Sequence, residues 1–245
     1  VPAYPLRVLV LRKTKLGETD LILNLLAADG RQVRAVAKGA RKPRGKLGAR
    51  VEPFTVLDVL LHTGRSLEIL AEAETVASHD AIRADYDRAV AGSVVLDVLD
   101  KISVEGQAEP QLFDMAVVTL EVMDDAPVGS LDLLVSAFLL KALAMHGYRP
   151  ALDACASCGG ALGAGMSFSV EAGGALCAAC GSGGLALDPD ARALMRTLMR
   201  ARMSEVPGVE VSPAARIEAL RVVRAYVGFH VPARLRALDS YVSAR

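Results

Sequence analysis

Through Ala73 the chain alternates apolar and polar positions with a period of two in short runs, and from Asp80 onward the spacing becomes helical. Five runs read as strands: Leu6 to Thr14, Asp20 to Leu26, Gln32 to Lys38, Pro53 to Leu61 and Leu67 to Ala73. The third and fifth are the clearest, the third placing Val33, Ala35 and Ala37 on one face and Arg34, Val36 and Lys38 on the other. Turn signals at Leu16-Gly17, Asp29-Gly30 and Thr63-Gly64 separate the runs, Asp29-Gly30 being a strong hairpin cue. Five short strands in sequence predict a small barrel, of the OB or the SH3-like kind.

The helical part opens with Ile82, Tyr86, Val90 and Val94 at four-residue steps, which predicts one helix of about twenty residues from Asp80. Leu112, Ala116, Thr119, Leu120 and Met123 form a second stripe that ends before Pro127. A third stripe runs through Leu131, Leu134, Val135, Phe138, Leu139, Ala142 and Met145 and stops at Gly147, a C-terminal cap. Further on, Asp188-Pro189 and Ser212-Pro213 each supply an N-cap followed by proline in the first helical turn. Arg192, Arg196 and Arg200 line one face of the first of these helices, and Arg216, Arg221 and Arg224 decorate the second. Met195, Met199 and Met203 read as core. The expected class is therefore α+β: a five-stranded barrel over residues 1–78, helices over 79–150 and 188–245, and a cysteine-rich insertion at 151–187.

Composition adds that the chain is globular, with 52% hydrophobic and 23% charged residues. The longest apolar stretch, Leu131 to Met145, is broken by Asp132 and Lys141 and is shorter than the roughly 20 residues of a membrane span. The opening Val1-Pro-Ala-Tyr-Pro-Leu-Arg7 runs into strand-like sequence without a signal-peptide core, so the expected location is the cytoplasm. The zero net charge conceals segregation along the chain. Residues 1–50 carry twelve Lys and Arg against Glu18, Asp20 and Asp29, a net of +9; residues 51–187 stand at −13 and residues 188–245 at +4. An anionic partner for the N-terminal part follows.

The densest charge lies between the third and fourth strands. Lys38, Arg41, Lys42, Arg44, Lys46 and Arg50 fall in one acid-free stretch, and Arg34 precedes them on the third strand. Glycines 39, 45 and 48 let such a loop follow a phosphate backbone without a fixed base register. A P-loop is excluded, because Leu47 stands where the magnesium-binding hydroxyl belongs. Aromatic residues are scarce here: only Tyr4 and Phe54 occur in the barrel segment, and Phe54 reads as core.

The four cysteines follow the pattern Cys155-x2-Cys158-x18-Cys177-x2-Cys180, two CxxC turns at a spacing suited to one shared zinc ion. Four thiolates close a tetrahedral shell and leave no position for water, so the expected ion is structural. A thiol-redox pair and an iron–sulfur ligand set are the competing readings of the same cysteines. No GxSxG elbow, HExxH or paired-carboxylate motif is present, and no catalytic set emerges, so the chain is expected not to be an enzyme.

Three segments carry a resemblance: Val8-Leu-Val-Leu-Arg-Lys-Thr-Lys-Leu-Gly-Glu-Thr-Asp20, Val33-Arg-Ala-Val-Ala-Lys-Gly-Ala-Arg41 and Leu47-Gly-Ala-Arg-Val-Glu-Pro-Phe54. With the cysteine module behind them, they resemble the RecO family of bacterial recombination-repair mediators over nearly the whole chain. The resemblance implies an N-terminal OB-fold and a helical domain with an inserted zinc ribbon. It further implies binding of single- and double-stranded DNA, annealing of complementary strands, and action with RecR in loading RecA on DNA coated by single-strand DNA-binding protein, without enzymatic turnover and at the nucleoid. Carried over by position, the DNA-binding surface would be Arg34, Lys38, Arg41, Lys42, Arg44, Lys46 and Arg50, with zinc on Cys155, Cys158, Cys177 and Cys180. The competing function is a zinc-ribbon adaptor whose basic loop meets an acidic protein.

Overall fold

The computed structural model describes residues 2–42 and 47–244. Two compact units are present, Val1–Gly92 with Leu96–Asp124, and Ser93–Val95 with Asp125–Arg245.

In the first unit, β1 (Ala3–Leu16), β2 (Asp20–Ala27), β3 (Gln32–Ala37), β4 (Val56–His62) and β5 (Glu68–Ala77) close a barrel in the order β1-β2-β3-β5-β4. The β3–β5 pair is parallel and every other pair antiparallel, which is the Greek-key connection of an OB-type barrel and resolves the choice against an SH3-like one. Strand β1 serves two neighbours: residues 3–9 pair with β4 and residues 8–16 with β2. A register shift between Val10 and Arg12 bends it through the turn this requires. The interior is filled by Val8, Val10, Leu23, Leu25, Leu57, Val59 and Leu61, together with the small Ala35, Ala37 and Ala73. The alternation expected in β3 holds, since Val33, Ala35 and Ala37 are buried and Arg34 is exposed.

Between β2 and β3 the chain turns at Gly30, whose φ of +85° belongs to the left-handed region. A Cβ there would lie 2.0 Å from the backbone oxygen of Glu109, so conformation and space both require glycine.

The helix expected from Asp80 is two helices, α1 (Asp80–Ala84) and α2 (Tyr86–Ile102). Asp85 breaks them: its backbone is extended, and its carboxylate accepts the N–H of Arg88 as the N-cap of α2. Tyr86, placed by periodicity on the apolar stripe, is consequently 82% exposed. The C-terminal turn of α2 lies on the outside of the barrel. Asp100, with a side chain only 4% exposed, accepts from Asn24 Nδ2 at 2.6 Å and pairs with Lys101 at 2.9 Å and Arg12 at 3.2 Å. Helix α3 (Pro110–Asp125) buries the expected Leu112, Ala116, Thr119, Leu120 and Met123.

The second unit is built on α4 (Leu131–Met145), in which twelve of 15 residues are buried. With the preceding turn it makes an 18-residue apolar segment, Val128–Met145, long enough by composition to cross a membrane but 72% buried inside this unit. It ends as expected at Gly147 (φ +86°), where Tyr148 N–H donates to Leu143 O and Gly147 N–H to Ala144 O, the paired bonds of a Schellman cap. Helices α5 (Pro189–Arg200) and α6 (Pro213–His230) pack on α4, and Asp188 and Ser212 cap them as expected. Helix α7 (Arg236–Ser243) is latched by a buried hydrogen bond of 2.5 Å from Tyr241 OH to Asp132. The cysteine insertion forms a small sheet ordered β7-β6-β8, from β6 (Ser167–Ser169), β7 (Gly174–Leu176) and β8 (Leu185–Ala186).

Candidate nucleic-acid interface and metal centre

One mouth of the barrel is closed by the β3–β4 loop, which sends Ala40 and Val51 into the core and packs a partly buried Leu47 against it. Apolar anchors of this kind hold the loop down while Lys38, Arg41, Lys42 and Arg50 stay outside. Asp20 organises the near end. Its carboxylate accepts the Gly39 N–H at 2.8 Å and the Thr19 hydroxyl at 2.9 Å. Those two bonds, and then the charges of Lys38 and Lys42, hold it below the usual carboxylate range. Arg41 donates to Gly17 O at 3.1 Å, and Arg50 reaches across the mouth to Ala73 O at 2.8 Å.

Arg34, Lys38, Arg41, Lys42 and Arg50 are all exposed. Among the described residues none of the five forms an ion pair with a carboxylate. Arg44 and Lys46 lie outside the described residues. Arg34 sits apart from the loop, in mid-strand on the outer face, where register sets it opposite Asn24 and Asn24 opposite Arg12. Two participants are missed by reading the sequence. Lys15, exposed at the end of β1, belongs to the same mouth, and its Lys13-Thr14-Lys15 run beside the Leu16-Gly17 turn is the signal that could have found it. Asp20 had no such signal, because an acid inside a basic segment reads as a lost positive charge until its partners are known. Phe54 is core as expected: it is 7% exposed, and its carbonyl meets His79 Nδ1 at 2.6 Å.

The four cysteines converge, all sulfurs lying within 4.8 Å of one another. Cys158 and Cys177 sulfurs are 3.8 Å apart. A tetrahedral zinc with bonds of about 2.3 Å sets its sulfurs about 3.8 Å apart, so the geometry fits one ion. The first knuckle is shaped by Cys155 N–H donating to Gly160 O and Gly159 N–H to Cys155 O, and the second by Cys180 N–H donating to Cys177 O. The backbone N–H groups of Cys158 and Cys177 draw the Cys155 thiol down to about 6. By contrast, Cys180 is pushed up to about 12 by hydrogen bonding with the Cys177 and Cys158 thiols. Four sulfurs this close cannot all ionise without a cation among them, which is the chemistry of a metal-binding set.

The arginine face of α5 is spent on this module. Arg196 pairs with Asp153 at 2.6 Å and Arg200 with the same carboxylate at 3.7 Å, while Arg192 donates to Leu152 O at 3.0 Å. These residues fix the stem of the first knuckle.

Comparison with known proteins agrees with this arrangement. Residues 4–79 match the family described as Recombination protein O N terminal, and residues 83–239 match Recombination protein O C terminal. A DNA repair protein RecO of Frankia casuarinae (strain DSM 45818 / CECT 9043 / HFP020203 / CcI3) is 39% identical over 244 residues, spanning 97% of this chain and 98% of the relative. Another DNA repair protein RecO, from Thermobifida fusca (strain YX), is 37% identical over 235 residues, 94% of each chain.

Proposed function

The chain belongs to the RecO family of DNA repair proteins, and from that premise we propose that it binds single- and double-stranded DNA through the mouth of its barrel and the outer face of β3, anneals complementary strands, and acts with RecR to help load RecA on DNA covered by single-strand DNA-binding protein. The observation that carries the reading is the set of five exposed cations, Arg34, Lys38, Arg41, Lys42 and Arg50, with no carboxylate partner among the described residues. Cations held by a loop and an outer strand face, without a base-reading element in a groove, contact phosphates and are indifferent to sequence. Neutralised phosphates also lower the repulsion between two complementary strands, which is how a binding protein without turnover accelerates annealing. In this reading the protein works in the cytoplasm at the nucleoid, and a single zinc on Cys155, Cys158, Cys177 and Cys180 has a structural role.

The test is the salt dependence of oligonucleotide binding. Five phosphate contacts give a slope of about −4.5 for log affinity against log salt on duplex DNA. Replacing Lys38 and Lys42 together by Gln should flatten it by about two units while zinc content and fold stay unchanged. Undiminished binding with an unchanged slope would overturn the assignment, and a barrel that captures an acidic protein but no DNA would establish the adaptor reading instead. Strand annealing assayed with and without single-strand DNA-binding protein tests the finer claim.

A further inference from the structure

The barrel supplies cations for phosphates but little for bases: of its two aromatic residues Phe54 is buried and Tyr4 is half-buried. Unpaired bases differ from paired ones in offering free π faces, and a protein that holds single strands commonly meets them with exposed aromatic rings. The second unit has such rings where the end of α4 meets the end of α6. Tyr148 is 44% exposed and Phe229 is 52% exposed.

Their arrangement is ordered from below. The Tyr148 ring stacks on His230 with centroids 4.2 Å apart and planes inclined by 25°. His230 is in turn gripped edge-to-face by Tyr226 at 4.5 Å and Phe229 at 5.1 Å. Tyr226 is buried and meets Phe168 at 5.3 Å, so the stack is anchored in the core of this unit. The backbone of Tyr148 is also fixed, because its N–H closes the Schellman cap and Pro150 restricts the residue after it. The ring is therefore placed before any ligand arrives, and stacking on it costs little further side-chain entropy. Beside it, Arg149 is exposed and has no carboxylate partner among the described residues, while Lys141 lies near enough to feel its charge.

We propose that Tyr148, backed by His230 and flanked by Phe229 and Arg149, is a stacking platform for the unpaired bases of single-stranded DNA. Such a platform gives this second unit a preference for single strands that the barrel cations alone do not provide. A protein-docking patch would use the same exposed rings, but a tyrosine held on a stack beside an unpaired cation matches a base above the ring and a phosphate beside it. The inference rests on the DNA-binding reading above.

The experiment compares full-length wild type with Tyr148→Ala, Phe229→Ala and Tyr148→Phe for binding to a labelled oligo-dT and to a mixed-sequence duplex. Tyr148→Ala should weaken single-strand binding about tenfold and leave duplex binding unchanged, with a smaller loss for Phe229→Ala. Tyr148→Phe should retain most of the single-strand affinity, because it keeps the ring and the packing. The chain has no Trp and five Tyr. Tyrosine emission should therefore fall when oligo-dT binds, and Tyr148→Phe should abolish most of that fall. Equal loss on both DNAs, or loss on neither, overturns the platform while leaving the barrel reading intact. Failure of the unsubstituted chain to bind either DNA overturns the barrel reading and the platform with it.

Discussion

In the proposed DNA-binding reading, Asp100→Ala should lower stability while strengthening the salt dependence of DNA binding. The carboxylate is nearly inaccessible and takes a 2.6 Å bond from Asn24 Nδ2, itself 8% exposed. A hydrogen bond to a charged acceptor contributes roughly 1.5–3 kcal/mol. Lys101 and Arg12 add less, because Arg12 is 55% exposed and its pair is screened, on the order of 0–1 kcal/mol. Relief of carboxylate desolvation offsets part of the loss, so the expected destabilisation is about 2–3 kcal/mol, measured by urea unfolding. The pH dependence follows from the shift in Asp100. Burial raises its pKa, but Asn24 and then Lys101 and Arg12 outweigh burial and bring it below the ordinary value. A depressed folded pKa means stability that is fully present above the ordinary carboxylate range and is lost as pH falls through the folded value. The gap between wild type and Asp100→Asn should accordingly close on acidification. Meanwhile the substitution frees Arg12, which shares a cross-strand row with Arg34, and duplex binding should acquire a salt slope steeper by about 0.9. Stability unchanged within about 0.5 kcal/mol would refute the role of Asp100 in clipping α2 to the barrel. An unchanged slope in a folded variant would remove the β1–β3 face from the DNA path.

Three further outcomes are expected. Metal analysis of the purified chain should give one zinc, and Cys158→Ser should lower zinc content and the midpoint of thermal unfolding together, since metal affinity contributes to folding. Gly30→Ala should destabilise the first unit by roughly 1–3 kcal/mol in denaturant, because the new methyl meets the Glu109 carbonyl and φ is positive; a neutral result would mean that the turn can relocate. Tyr241→Phe should cost about 1.5–3 kcal/mol by removing the buried donor to Asp132, and native-state hydrogen exchange should show the loss first in α7.

What the sequence made legible follows from what is local. Period-two runs located the strands, capping residues located α5 and α6, and cysteine spacing located a four-sulfur cluster that convergence in space then supported. The parallel β3–β5 closure was not legible, because register between distant strands leaves no mark on either of them alone. The break at Asp85 was missed for a different reason: one side chain capping α2 outweighs an unbroken apolar period that Tyr86 satisfied only by position. Asp20 and Asp100 show the same limit in electrostatics. Counted along the chain each merely subtracts a charge, yet Asp20 holds the basic loop in place and Asp100 holds Arg12 and Asn24.

In the segment of net +9, Arg7, Arg12, Lys13 and Arg31 are ion-paired, and the placement of Asp20 explains how the loop beyond β3 carries its cations without pairing them. Repulsion among like charges is costly where they are held close and desolvated, and small where they remain in water. Here the loop backbone is pinned by Asp20 and by the apolar plugs Ala40, Leu47 and Val51, none of which neutralises a cation tip by direct pairing. Anchoring through a backbone N–H group and apolar side chains leaves the Lys38 and Lys42 ammonium groups exposed, while Arg41 and Arg50 each spend a donor on a backbone carbonyl, Gly17 O and Ala73 O. Had Lys38 and Lys42 instead been tied down by ion pairs, DNA would have to break those pairs before binding. An acid placed to pair with Lys42 should thus weaken DNA binding more than the loss of one phosphate contact accounts for, and it should do so without loosening the loop.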